Sequence, residues 1–290
     1  GANASDTELV WVDRQGQLVE ELGIVGDLYS LDISHDGRRV AYDNSTAETG
    51  GDIWVYDLAR RSSVRLTDHI ADESSPRWSN ADDAIYFFRG NDLMRVELTT
   101  PPTIVELRSD GTYRRPEDMH PQTGQLLVSD LLGMNSDLRL LDPDMEHEEV
   151  WLEREGRQYR ARFSPSGDWV VYTADQGERS HVWIESFPDR TERFRVSDDA
   201  GGRYPEWRDD GGEIFYINPS RKLMAVPVDM AATDRRPIGE PQVLFPVHLR
   251  QNSHYEVNAA GDRFLLNRFV GATAEQSAVL VRGWWPESFE

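Results

Sequence analysis

Six charged residues recur along the chain at matched positions: Asp32, Arg77, Asp118, Arg162, Glu206 and Glu256, separated by 45, 41, 44, 44 and 50 residues. Each stands one place before an apolar anchor. Three places before the same anchors stand Ser30, Ser75, Pro116, Arg160, Tyr204 and His254. Carboxylates and guanidiniums brought together around an axis would form a polar funnel for a zwitterion, a peptide terminus or a cation. They would equally neutralise one another and a column of water, as half-buried charges must. Arg162, Tyr204, His254 and Glu256 would also supply a base and charge stabilisation for a lyase or glycosidase. The candidate ligand-binding set is Arg77, Asp118, Arg160, Arg162, Tyr204, Glu206, His254 and Glu256, and no residue is assigned a catalytic role.

The anchors belong to a phrase that occurs six times: ISHDGRRVAYD from Ile33, WSNADDAIYFF from Trp78, MHPQTGQLLVSD from Met119, FSPSGDWVVYT from Phe163, WRDDGGEIFYI from Trp207 and VNAAGDRFLLN from Val257. A polar turn supplies positive φ, and the run after it alternates with the two-residue period of a strand. Third strands follow, as at 52–57, 92–97, 137–142, 181–186 and 223–228, and shorter polar fourth strands at 63–67 and 194–197. Pro227 in one of these runs marks an irregular strand or a bulge. The period is that of a four-stranded propeller blade, which must stack on neighbours to bury both faces. Residues 8–13 and 17–22 read as the third and fourth strands of a blade whose first two lie at 254–257 and 263–267, so joining the ends closes the ring. A further strand-like run at 278–282 is expected in that closing blade. The expected fold is an all-β, six-bladed propeller over residues 8–284, with 1–7 a linker and 285–290 a tail.

Composition narrows the partners. The chain of 290 residues has 31 Lys+Arg against 52 Asp+Glu, a formal charge of −21. That disfavours nucleic acid and anionic membranes, whose binding rests on cationic side chains. Lys222 is the one lysine, so the composition fits either a high-salt habitat or an arginine-rich codon usage. With no cysteine, thiolate zinc sites and cysteine nucleophiles are ruled out. No apolar stretch reaches the length of a membrane span, and no signal peptide is expected.

Metal and nucleophile signatures are missing as well. The acidic run 142–149 lacks the glycine and twelfth-position acid of a calcium loop and reads as a solvated turn. The histidines have no metalloprotease spacing, although His254 is placed to meet Glu256 and Glu206 in space. There is no Gly-x-Ser-x-Gly elbow. No metal or other cofactor is expected. Most tryptophans read as packing between blades, whereas Trp284 and Trp285 would pack on the closing blade or form an exposed patch.

The phrases FSPSGDWVVYT and GGDIWVYDLARRSSVRLT resemble the repeat of TolB-type six-bladed propellers, periplasmic relatives of the WD-repeat family. LVWVDRQGQL, GGRYPEWRDDGGEIFYINPSRKLMAVPV and GEPQVLFP are similar to the sensor propellers that lie C-terminal to bacterial transmembrane serine/threonine kinases. The resemblance implies a non-catalytic, periplasmic or extracellular binding module of a larger signalling protein, taking a protein, peptide or small ligand at its channel mouth. No kinase motif occurs in the chain. A lyase or glycosidase, or a TolB-like interaction scaffold, are the alternatives.

Overall fold

The computed structural model describes residues 6–46, 50–130, 135–232, 237–249 and 255–270. Among them every helix or strand element is a β-strand. The chain opens with β1 (Thr7–Asp13) and a long β2 (Leu18–Ile33). The second half of β2 is innermost in blade 1, followed by β3 (Arg39–Thr46), β4 (Gly50–Asp57) and β5 (Ser62–Arg65). Blade 2 contains β6 (Glu73–Trp78), β7 (Ala84–Arg89), β8 (Asp92–Glu97) and β9 (Thr103–Arg108). Blade 3 contains β10 (Arg114–Met119), β11 (Leu126–Asp130), β12 (Leu138–Leu141) and β13 (Glu148–Leu152). Blade 4 contains β14 (Gln158–Phe163), β15 (Trp169–Gln176), β16 (Arg179–Ser186) and β17 (Arg193–Arg195). Blade 5 contains β18 (Arg203–Trp207), β19 (Glu213–Ile217), β20 (Lys222–Pro227) and β21 (Gln242–Pro246).

Blade 6 joins the two ends of the chain. Its order is β22 (Tyr255–Val257), β23 (Arg263–Phe269), β1 and the first half of β2, with Thr7 opposite Phe269 and Asp13 opposite Arg263. The innermost strands then touch in a closed circuit, β2 to β6, β10, β14, β18, β22 and back to β2. The chain is thus a six-bladed β-propeller, closed as the sequence predicts. The third place in blade 6 belongs to β1, while residues 278–282, Trp284 and Trp285 lie outside the described residues. Pro227 closes β20 opposite Glu213 and is exposed, so its missing N–H costs the sheet nothing internal.

All six innermost strands end on the expected anchors. Four residues beyond the anchor, or five in blade 3, the turn needs positive φ, supplied by Gly37, Gly124, Gly167, Gly211 and Gly261. In blade 2 Asp82 takes that conformation at φ 56°, which asparagine and aspartate tolerate better than bulkier residues. Its carboxylate accepts the N–H groups of His35 and Asp36, each at 2.9 Å, and so ties the turns of blades 1 and 2.

Apolar faces meet at each of the six seams between blades. Ala41, Ile53, Val55, Trp78, Ile85 and Phe87 pack blade 1 on blade 2, and equivalent clusters fill the other seams. The closing blade is held on both sides, by Leu9 and Trp11 against Leu31 and Tyr42, and by Val10 and Phe264 against Phe215 and Phe245. Each fully buried large side chain contributes about 1.5–3 kcal/mol relative to exposure, so the short β22 is secured by its neighbours rather than by its own length.

Candidate functional site

A bulge in the innermost strands decides which side chains reach the channel. In blades 1, 2, 4 and 5 two residues of the innermost strand oppose one of its neighbour, for example Arg160 and Ala161 between the Tyr159–Thr173 and Arg162–Val171 pairs. Ser75, Arg160 and Tyr204 occupy the bulge with φ of 55°, 53° and 60°. The extra residue reverses the alternation, so that one residue before the anchor faces the channel, and so do the fourth and sixth before it. The charged row therefore points to one end and the strand beginnings to the other.

Toward the anchors the charged row forms a belt of ion pairs. The Arg77 Nη1 atom lies 3.2 Å from Asp32 and 3.6 Å from Glu256. Arg162 reaches Glu206 at 2.9 Å and Glu256 at 3.5 Å, and donates to the Glu117 carbonyl. The remaining acids stitch blades together: Asp32 accepts the Trp78 N–H and Asp118 the Phe163 N–H, both at 2.7 Å. Burial, with Glu206 and Asp32 nearby, pushes the Glu256 carboxyl well above the usual carboxylate range. Burial also raises Glu206 and Asp118. It works against the Arg162 charge too, but Glu206 and Glu256 hold that guanidinium firmly protonated. Asp118, Arg162, Glu206 and Glu256 border a cavity of about 590 Å³ on the anchor side. The belt sets four acids against two guanidiniums, and burial shifts Glu256, Glu206 and Asp118 toward their neutral forms.

The opposite mouth is a cavity of about 710 Å³ framed by the beginnings of the innermost strands. Blades 3 to 5 give it Arg115, Arg157, Arg160 and Arg203 with one acid, Asp175, and blades 1 and 2 give it Asp27, Asp43, Asp72 and Glu73. Tyr29, Tyr113, Tyr159 and Tyr204 complete the wall. Most of the acids are already engaged. Glu73 pairs with Arg89 at 2.7 Å, and Asp72 accepts the Gly51 N–H at 2.6 Å. Buried Asp43 accepts the N–H groups of Tyr29 and Ser30 at 2.9 Å and of Ser75 at 3.2 Å, and burial raises its pKa to about 6.

On the basic side Glu117 is the central carboxylate. It takes Arg115 at 2.5 Å, the Arg160 N–H at 3.1 Å and the Ser129 hydroxyl at 2.6 Å. Burial opposes its charge, yet Arg115 and Arg160 hold its pKa at about 2. Burial and the neighbouring Arg115 bring the Arg160 guanidinium, stacked 5.5 Å from the Tyr204 ring, down to about 10. Arg157 lies over Tyr159 at 5.7 Å, and Arg203 donates from Nε to Ser180 Oγ at 2.8 Å. Among the described residues neither Arg157 nor Arg203 forms an ion pair, and Asp175, which accepts from the Ser180 and Tyr159 hydroxyls, is the one acid lining this half, so it carries excess positive charge.

The eight residues expected at one mouth are thus divided. Arg160 and Tyr204 stand at the arginine–tyrosine mouth, Arg77, Asp118, Arg162, Glu206 and Glu256 in the belt and its anchor-side cavity, and His254 lies outside the described residues. Sequence reasoning passed over Arg115, Arg157, Arg203, Asp43 and Glu117. Asp142, Asp144 and His147 do approach one another closely enough to hold an ion, but on an exposed to half-buried turn, and Asp142 already accepts from Gln125 at 3.1 Å.

Gly156 fixes where Arg157 begins its path into the mouth. Its φ is +85°, and an added Cβ would lie 2.3 Å from the Asp175 carbonyl oxygen. Gly156→Ala is expected to cost about 1–3 kcal/mol through backbone strain, read as a lower urea midpoint with an unchanged slope.

No protein-family model matches this sequence, and no curated protein matches it significantly. Solved structures do match its fold. A putative TolB from Agrobacterium tumefaciens aligns over 93% of this chain and 100% of its own, with a TM-score of 0.70 and 15% identity. TolB from Acinetobacter baumannii gives 0.63 and 15% over 80% of this chain, which spans 64% of that protein's length. An oligogalacturonate lyase in complex with manganese gives 0.60 and 17%, covering 90% of this chain and 78% of the lyase. At these identities the likeness concerns the propeller fold alone. Among the described residues no helix is long and apolar enough to cross a membrane.

Proposed function

We propose that this propeller is a recognition module that binds a small molecule, peptide or protein segment at the arginine–tyrosine mouth, as the sensor part of a larger extracytoplasmic signalling protein. The observation that carries the reading is the asymmetry of the channel. Both belt guanidiniums are already paired within the belt, whereas the opposite mouth presents guanidiniums and tyrosines around an open cavity. The TolB-like fold and the sensor-type phrases at both ends support the periplasmic or extracellular placement. In the full reading frame, an upstream membrane span and kinase domain are expected.

The binding test is a thermal-shift panel of peptides, amino acids and oligosaccharides on the parent protein and on Arg157→Ala and Tyr204→Ala. A ligand at a hundred times its Kd adds about 2.7 kcal/mol, a gain expected to vanish in both variants. A panel in which no compound shifts the parent, or in which the variants respond as the parent does, rejects the mouth as a site. The lyase reading is favoured by one observation, the structural similarity to an oligogalacturonate lyase. Shortening of oligogalacturonates by the purified chain would establish it in place of simple recognition.

A further inference from the structure

A second cavity, of about 540 Å³, opens between blades 4 and 5 and shares Arg203 and Tyr204 with the mouth. Its wall differs in chemistry. Ile217, Val247 and Leu249 give an apolar surface, flanked by Arg179 and Arg221. Val247 is itself buried and belongs, with Ile217 and Leu249, to the apolar cluster that binds blade 5 to blade 6. A rigid apolar surface therefore adjoins a basic one, with Arg203 at the junction.

We propose that the two cavities together take the C-terminus of a peptide ending in an aliphatic residue, its carboxylate held by Arg157 and Arg203 and its last side chain lying on Ile217 and Leu249. This rests on the recognition reading of the same mouth and adds the class of ligand. Planar guanidiniums bind carboxylates through paired N–H groups, which makes the contact directional as well as charged. Arg203 spends Nε on Ser180 and retains both terminal nitrogens for a ligand. A cationic terminus fits less well, because Glu73 is held by Arg89, Asp43 by three backbone N–H groups, Asp72 by the Gly51 N–H and Asp175 by the Ser180 and Tyr159 hydroxyls. A polyhydroxylated acid would leave the aliphatic wall without a partner of its kind.

The smallest probe with both features is N-acetyl-leucine, to be compared with N-acetyl-leucinamide and galacturonate by NMR titration. The free acid is expected to bind about tenfold more tightly than the amide, the factor that one charge-assisted contact supplies. Arg157→Ala/Arg203→Ala, two exposed positions, should abolish that preference while keeping the parent's melting temperature, and Leu249→Asn should weaken the acid severalfold. Equal binding of acid and amide would overturn the carboxylate assignment. Tighter binding of galacturonate, unaffected by Leu249→Asn, would overturn the aliphatic one, and failure of N-acetyl-leucine to bind at all would overturn both. In each case the wider panel on the parent protein still decides independently whether the mouth binds anything.

Discussion

Arg162→Ala is expected to lower the free energy of unfolding by about 3–5 kcal/mol, the cost of removing one partner from a buried ion-pair network. Arg162 faces Glu206 and Glu256 and also donates to the Glu117 carbonyl, so alanine removes a cation and leaves three acceptors facing a void. Glu256 answers by holding its proton, but the Glu206 carboxylate keeps only the more distant Arg77. Arg162→Lys should fall between alanine and the parent, because a single ammonium replaces the charge without the fork that serves several acceptors at once. Replacing the pair together, as Arg162→Met with Glu206→Leu, should recover much of the loss, since a buried ion pair often breaks even against apolar residues of similar volume. Urea unfolding of the four proteins checks this. A loss below about 1 kcal/mol for Arg162→Ala, the usual value of a surface pair, would mean that the belt is solvated and plays no structural part.

The belt and the mouth also show where sequence reasoning reaches its limit. Apolar anchors, positive-φ turns and two-residue alternation are local signals, and they located all six innermost strands and the joining of β1 to β23. The charged row was legible for the same reason, because it sits beside the anchors and repeats with them. What alternation cannot reveal is a bulge. Arg160 and Arg162 are two residues apart, which in a regular strand puts them on one face, yet the left-handed conformation of Arg160 sends them to different ends of the channel. The same extra residue brings Arg203 and Arg157, four and six places before their anchors, into the mouth. Asp43 escaped notice because it ends an ordinary alternating run, VAYD. Its role appears only when blade 2 brings the Ser75 N–H against it.

Asp43 gives the second large effect, a dependence of stability on pH opposite in sign to that of a paired carboxylate. Burial raises its pKa from 3.8 to about 6, so across that interval the folded chain holds a proton that the unfolded chain releases. Stability is therefore greatest below the unfolded value and falls as pH rises through the window, by about 3 kcal/mol from this group alone. Glu256, Glu206 and Asp118, all raised by burial, add to the fall. Glu117 works in the other direction. Held at about 2 by Arg115 and Arg160 against its burial, it withdraws its contribution as pH drops below about 4.5. A maximum near pH 4 follows, where the gain from Glu117 and the loss from Asp43 balance, well to the acid side of neutrality. Global repulsion among the carboxylates slopes the same way as Asp43, so the measurement belongs at high salt, where that repulsion is screened. Asp43→Asn separates the local cause, because the amide does not titrate. Whatever the substitution costs at pH 4, its stability relative to the parent should improve by about 2–2.5 kcal/mol between pH 4 and pH 7. Parallel curves for parent and variant across that range would show that Asp43 is ionised throughout, with its three backbone N–H groups outweighing its burial.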